Sequence, residues 1–160
     1  MKLQAKQIEL TEVTFLNYLK KKSIYPVTEV NIKLCNTGWL IHSPDGIHSP
    51  DGARIEINTN MPTSEKEGTI AHEMGHGRCY KRGCTCYRKY DRILQEVHAE
   101  LYALHLLLRN QEKNAIIARF KRWKDNWDDS SDDEYCKALK IIKKRRIYKR
   151  CQEFVRNKNE

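Results

Sequence analysis

The stretch "GTIAHEMGHGRCY" (68–80) decides how the rest of the chain is read. At its centre, His72-Glu73-Met74-Gly75-His76 sets two histidines four residues apart with a glutamate between them. On a helix that spacing is about one turn, so both imidazoles share a face and can reach a single ion. Zinc bonds histidine nitrogen at about 2.0–2.1 Å and favours four ligands in a tetrahedron. Glu73 sits about 100° around the helix from His72. From there it can reach a water on the ion without becoming a ligand, the general-base position of the HExxH pattern. Gly75 inside the motif costs a helix about 1 kcal/mol relative to alanine. Its presence predicts that the helix passes close to another element there.

A hydrolytic zinc site needs a third protein ligand and an open position. Position 82 is Arg, so a third histidine six residues beyond His76 is excluded. The next apolar-periodic segment, "RILQEVHAELYALHLLL" (92–108), offers Glu96, His98, Glu100 and His105. Glu96 and Glu100 are one turn apart, whereas His98 lies about 160° from Glu96 on the helical wheel. Only one of these faces is expected to point at the metal. We read Glu96 as ligand and Glu100 as the group that orients a histidine through its distal N–H, with the exchange of those two roles left open. His98 and His105 are read as surface or packing residues. Tyr80, Tyr87, Tyr90 and Arg78 follow closely enough to be candidate oxyanion or substrate contacts.

Around these segments the chain reads as alternating helices and short strands. "LTEVTFLNYLKKK" (10–22) carries Val13, Leu16 and Leu19 at helical spacing, and Pro26 bars its continuation. Three strand-like runs follow at 27–36, 38–43 and 53–59. A tandem "IHSPDG" repeat (41–52) separates the last two and reads as a lengthened hairpin connection. Its His42 and His48 are read as surface-loop residues rather than ligands. "SEKE" (64–67) has the form of a capping box opening the motif helix, and Asp91 is a cap for the next. Ile93, Val97, Leu101, Leu104 and Leu108 form that helix's apolar stripe. A helix at about 112–124 and a long basic helix at about 133–155 complete the chain. In the latter, the apolar rhythm of Tyr135, Leu139 and Ile142 slips across "KKRR" before Ile147, Cys151 and Phe154. Weaker docking of the final turns is expected.

With 160 residues, 39% hydrophobic and 32% charged, the chain can bury a modest core. No apolar run is long enough to span a bilayer, and "MKLQAKQIELTEV" lacks the apolar segment of a signal peptide. A cytoplasmic location is expected, with no membrane partner. The six cysteines are then expected as thiols or metal ligands. Cys79, Cys84 and Cys86 form a candidate second metal site, with Cys136 or Cys151 folding back to complete it. The net charge of +9 is uneven: residues 137–160 hold ten Lys or Arg against two Glu. Just before them, "DNWDDSSDDE" (125–134) is acidic. A basic tail suits nucleic acid, an acidic partner or a solvated helix.

Three segments together, "ARIEINTNMP", "GTIAHEMGH" and "EVHAELYALHLLL", resemble the ImmA/IrrE family of gluzincin metallopeptidases. Ile57 and Asn58 match that family's strand end, and Pro62 its proline. Thr69, Ala71, His72, Glu73, Gly75 and His76 match its motif helix. Glu96, Ala99, Tyr102, Ala103, Leu106 and Leu107 match the later segment. The resemblance covers about residues 53–108. It implies a zinc peptidase with one zinc ion per chain, held by His72, His76 and Glu96, acting on a protein or peptide partner such as a transcriptional regulator. Glu100 departs from the family's usual Asn or Asp, and Leu108-Arg109 replaces a customary proline.

The fold expected is α+β: a small zincin-like domain over 1–124 with an N-terminal helix and a three-stranded, mainly antiparallel sheet. The motif helix and a second, Glu-bearing helix follow, and an acidic loop with a basic C-terminal helix occupies 125–160. An extended substrate would pair with the "ARIEINT" strand by β-augmentation. The competing reading is a nucleic-acid-associated protein, a binding module or a SprT-like DNA-linked protease. It would use residues 137–160 on nucleic acid and keep a structural metal site.

Overall fold

The computed structural model describes residues 14–30, 38–41, 54–126 and 133–157. Val13, Cys35, the tandem repeat with His42 and His48, and residues 127–132 of the acidic run lie outside them. The first helix, α1, spans Phe15–Lys22 and is capped by the Thr14 hydroxyl, which accepts from the Asn17 N–H at 3.3 Å. Leu19 is its fully buried anchor.

Three strands follow: β1 (Val27–Val30), β2 (Gly38–Ile41) and β3 (Arg54–Asn58). β2 and β3 pair antiparallel, with Gly38 opposite Ile57 and Ile41 opposite Arg54, as a hairpin requires. β1 pairs with β3 in parallel, Val27 opposite Ile55 and Val30 opposite Asn58. The sheet is therefore mixed, not mainly antiparallel. β1 and β2 do run in opposite directions, but β3 is inserted between them. Alternating apolar residues specify a strand and its inner face; they do not choose its neighbour. The central place of β3 also corrects the docking expectation, because a strand paired on both sides has no edge to offer a substrate.

The motif helix, α2, spans Thr63–Lys81. It begins one residue earlier than expected, with Pro62 at the cap and no side-chain capping bond. That register moves Ser64 and Glu67 out of capping range, so the capping box does not form. After a single turn, α3 (Thr85–Arg88), comes α4 (Arg92–Arg109), capped by the Asp91 carboxylate accepting from the Leu94 N–H at 3.0 Å. α5 spans Lys113–Asn126. The expected long basic helix is two helices, α6 (Glu134–Lys143) and α7 (Arg146–Arg156), broken within "KKRR" where the apolar rhythm slips. The break lets α7 turn its own apolar face inward. Ile147 is 5% exposed and Cys151 fully buried, so the final helix is firmly docked rather than loose.

α2 lies between two apolar clusters. On one side Leu19, Ile55, Ile57, Ile70 and Met74 join it to α1 and the sheet. On the other, Ala71, Val97, Leu104, Leu107, Ile116, Leu139, Ile142 and Cys151 join α2 to α4–α7. Each Leu or Ile buried there contributes about 1.5–3 kcal/mol. A helix enclosed on both sides must also bury its polar residues. Glu67, Thr69, His72 and Glu73 are each under 9% exposed.

Glu67 shows the cost. Burial, and then the Glu112 carboxylate, raise its pKa to about 7, against the pull of the Leu16 N–H that it accepts. Between about 4.5 and 7 the folded chain therefore holds this proton more tightly than the unfolded chain does, and stability falls as pH rises through that window. We predict that Glu67→Gln gains stability relative to the parent as pH is raised from 5 to 8, by thermal melting. A difference that stays constant over this range would contradict the assignment.

Candidate metal centre

α2 and α4 cross in close contact at Gly75. A Cβ placed there would stand 2.7 Å from both Cα and the carbonyl oxygen of Ala99. Alanine would regain about 1 kcal/mol of helix propensity. It would also force the two backbones apart, and overpacking of this kind typically costs more, about 1–3 kcal/mol. The close approach expected from Gly75 is thus made with α4, and it brings the glutamates of α4 to the histidines of α2.

Three donor atoms converge beside this crossing. His72 Nε2 and His76 Nε2 are 3.1 Å apart. Glu96 Oε2 is 3.3 Å from His72 Nε2, and Glu96 Oε1 is 3.4 Å from His76 Nε2. A zinc tetrahedron with bonds of 2.0–2.1 Å has edges of about 3.3–3.4 Å. The His72–His76 edge of this donor triangle and the closest approaches of Glu96 to each ring, made by its two different carboxylate oxygens, are near that length, and two imidazoles with a carboxylate are a fitting donor set for zinc. Side-chain exposures of 12% at His76 and 19% at Glu96 leave the triangle accessible from one side.

A second layer fixes the ligands. The Glu100 carboxylate accepts from His72 Nδ1 and from Arg119 Nε, the latter at 2.8 Å. With a metal in the triangle, His72 would keep its proton on Nδ1, toward Glu100, and present the Nε2 lone pair. His76 Nδ1 and the Tyr87 hydroxyl are hydrogen-bonded at 3.1 Å, which turns the ring's Nε2 toward the triangle. Tyr80 stacks edge-on against Tyr87, ring centroids 5.7 Å apart.

The electrostatics follow from burial and charge. Burial alone disfavours an imidazolium at His72, but the adjacent Glu100 carboxylate and hydrogen bonds to Glu100 and Glu96 raise its value to about 9. Burial would raise Glu100, but Arg119 and then His72 hold it at about 2. Glu96 also resists its burial: the two histidines hold it well below the usual carboxylate range. The extra length of Glu100, where the family usually has Asn or Asp, thus comes with a buried charge that Arg119 neutralises.

The remaining residues singled out from the sequence fall in several places. Glu73 is buried on α2 beside the triangle. Its charge is felt by Tyr87, whose phenol is raised first by burial and then by Cys79, Cys86, Glu73 and Glu96. Arg78 lies over the Tyr102 ring, 5.5 Å from its centroid, in a groove with Cys79 and His98. Tyr90 is 73% exposed at a positive φ of 53°. Neither is brought to the donor triangle. Cys136 and Cys151 are core thiols and do not fold back onto the other cysteines. His105 is exposed, whereas His98, read as a surface or packing residue, meets Cys79, Cys84 and Cys86.

Two contributors were missed. Arg119 is not among the residues singled out from the sequence, although it falls on α5's buried stripe with Ala115, Ile116 and Trp123. A charge on an apolar stripe was the available signal. Tyr135 was read only as part of an apolar rhythm. At the start of α6 and 44% exposed, its phenol is raised by partial burial first and then by the Glu96 carboxylate, against Arg92 and with Glu73 and Glu134 adding.

Residues 31–138, more than half of the chain, match the IrrE N-terminal-like domain of the Peptidase M78 family. The chain belongs to this ImmA/IrrE family of metallopeptidases. Neither the comparison with curated proteins nor that with solved structures gave a match. Membership supports a peptidase-type activity and a protein or peptide as substrate. Among the described residues no helix is long and apolar enough to cross a membrane.

Removing one partner of the Glu100–Arg119 pair leaves a buried charge uncompensated, at a cost of about 3–5 kcal/mol. We predict this loss for Arg119→Ala in urea unfolding, with zinc affinity reduced about 10–100-fold through misorientation of His72. Unchanged zinc affinity in the folded variant would show that Arg119 does not act through His72.

Proposed function

We propose that the chain is a zinc-dependent endopeptidase in which His72, His76 and Glu96 hold the metal and Glu73 is the general base. The observation that carries this reading is the donor triangle on α2 and α4, with Glu73 one residue from His72 on the same helix. Zinc held there supplies Lewis-acid polarisation of a carbonyl and acidifies a coordinated water. Glu73 takes the proton of the attacking water at its carboxylate and delivers it to the departing amine. Glu100, accepting at His72 Nδ1, and Tyr87, bonded to His76 Nδ1, orient the two rings so that each Nε2 can meet the metal. The oxyanion role is assigned here to Tyr135, whose phenol feels the Glu96 and Glu73 charges, as the O–H that donates to a carbonyl oxygen as charge builds on it.

The outer edges of the sheet are β1 and β2, and α2 packs against β2. An extended, flexible segment of a partner protein is the substrate form that suits such an edge. Family resemblance extends the reading to a transcriptional regulator as that partner. The basic helices α6 and α7 give a different role to the tail: Leu139, Ile142, Ile147 and Cys151 close the core over α4 and α5.

Two substitutions test the roles. Glu73→Gln is expected to lower peptide hydrolysis by about 10²–10⁴-fold with zinc content unchanged, measured on an unstructured protein substrate. Full activity in that variant would sink the general-base role. Tyr135→Phe is expected to lower kcat by about 100-fold with KM and zinc content preserved. An effect confined to KM would make Tyr135 a binding residue instead.

A further inference from the structure

We propose that Cys79, Cys84, Cys86 and His98 form a second, closed zinc site that clasps the loop after α2 onto α4. This inference is independent of the peptidase reading. Cys79 is in the last turns of α2, Cys84 and Cys86 flank the start of α3, and His98 comes from α4. His98 Nδ1 lies 3.4 Å from Cys84 Sγ, 3.4 Å from Cys86 Sγ and 3.8 Å from Cys79 Sγ. All four donor atoms lie within 4.8 Å of one another. A tetrahedral zinc with bonds of about 2.3 Å to sulfur and 2.0–2.1 Å to nitrogen has S···N edges of about 3.6 Å. The three distances bracket that value.

The thiols hydrogen-bond one another, but hydrogen bonding to His98 does not account for three sulfurs around its one ring nitrogen. One ring nitrogen carries either a single hydrogen or a single lone pair, so it satisfies one thiol and not three. Three sulfurs gathered around one nitrogen are the pattern of a shared ion. One of the sulfurs, that of Cys84, is also prepared for charge. Backbone N–H groups of Cys86 and Thr85 donate to Cys84 Sγ and lower its pKa. Cys79 and Cys86 are raised by burial and then by their neighbours, Cys86 to about 12, since thiolates this close repel one another without a cation. Binding releases the three thiol protons to solvent and leaves three thiolates, a neutral imidazole and one zinc, with a net charge of −1. Arg78, whose charge already favours the Cys79 thiolate, sits beside that charge.

Soft thiolate ligands in a tetrahedral set with one imidazole select zinc, and four protein ligands leave no open position, which makes the site structural. Its position gives it a second effect. The clasped loop carries Tyr87, whose hydroxyl orients His76. The cysteine site is thereby a scaffold for the donor triangle.

The 160-residue chain, loaded with zinc under reducing conditions and freed of excess metal, is expected to hold two zinc ions, one for each cluster. A His72→Ala/His76→Ala chain and a Cys84→Ser/Cys86→Ser chain are each expected to hold one. The parent loaded with cobalt(II) is expected to show thiolate-to-metal charge-transfer absorption in the near ultraviolet. That band should persist in the histidine variant. The cobalt spectrum needs no substitution, so it decides the matter even if a variant fails to fold. Cobalt-loaded parent without the thiolate band would overturn the proposal. So would a disulfide between two of the three cysteines under the same conditions. A single zinc lost with His72 and His76 overturns this site and leaves the peptidase reading intact. A single zinc that persists in the histidine variant, with the thiolate band, does the reverse.

Discussion

The crossing of α2 over α4 at Gly75 and Ala99 is the constraint on which the rest depends. Backbones in contact at 2.7 Å from a would-be Cβ leave no room for a side chain between them. Everything chemical is arranged around that point. Glu96 and Glu100 fall on one side of it, facing His72 and His76, and His98 falls on the other, facing Cys79. A few tenths of an ångström of separation would loosen both clusters at once. This is why the motif tolerates the helix-propensity cost of a glycine at its centre.

The second organising interaction is the buried ion pair of Glu100 and Arg119. Desolvating two charges is expensive, and such a pair is rarely a net source of stability against apolar residues of the same shape. Its value lies in specificity: it ties α5 to α4 and sets the proton of His72 on Nδ1. Fixing a histidine tautomer from behind is a recurrent device in metal sites. Here it uses a glutamate and an arginine where a shorter, less demanding acceptor is usual in the family. The same helices bury a large share of the apolar core, so the site and the fold share their supports.

Much of this was legible in the sequence because it is local. The pairing of His72 with His76, the Asp91 cap, the close approach at Gly75 and the three strands each follow from spacing along one element. What was not legible concerns relations between elements. Alternation marked β1 as a strand but could not show β3 inserted beside it. The helical wheel separated Glu96 from His98 correctly, yet it could not reveal that both sides of α4 would meet α2 or the loop beyond it. The "KKRR" slip was visible, but it was read as weak docking when it marks a break that redirects α7 into the core. Arg119 and Tyr135 act through helices distant in sequence, and nothing within their own segments says what they face.

The account rests on one ion held by the donor triangle, and diffraction above and below the zinc absorption edge tests that most directly. Crystals of zinc-loaded protein should give an anomalous peak about 2.0–2.1 Å from His72 Nε2 and His76 Nε2. Glu96 should be the bonded carboxylate, with Glu100 outside bonding distance and a solvent oxygen in the remaining position. No peak beside His72, or a peak closed off by both glutamates, would contradict a hydrolytic centre.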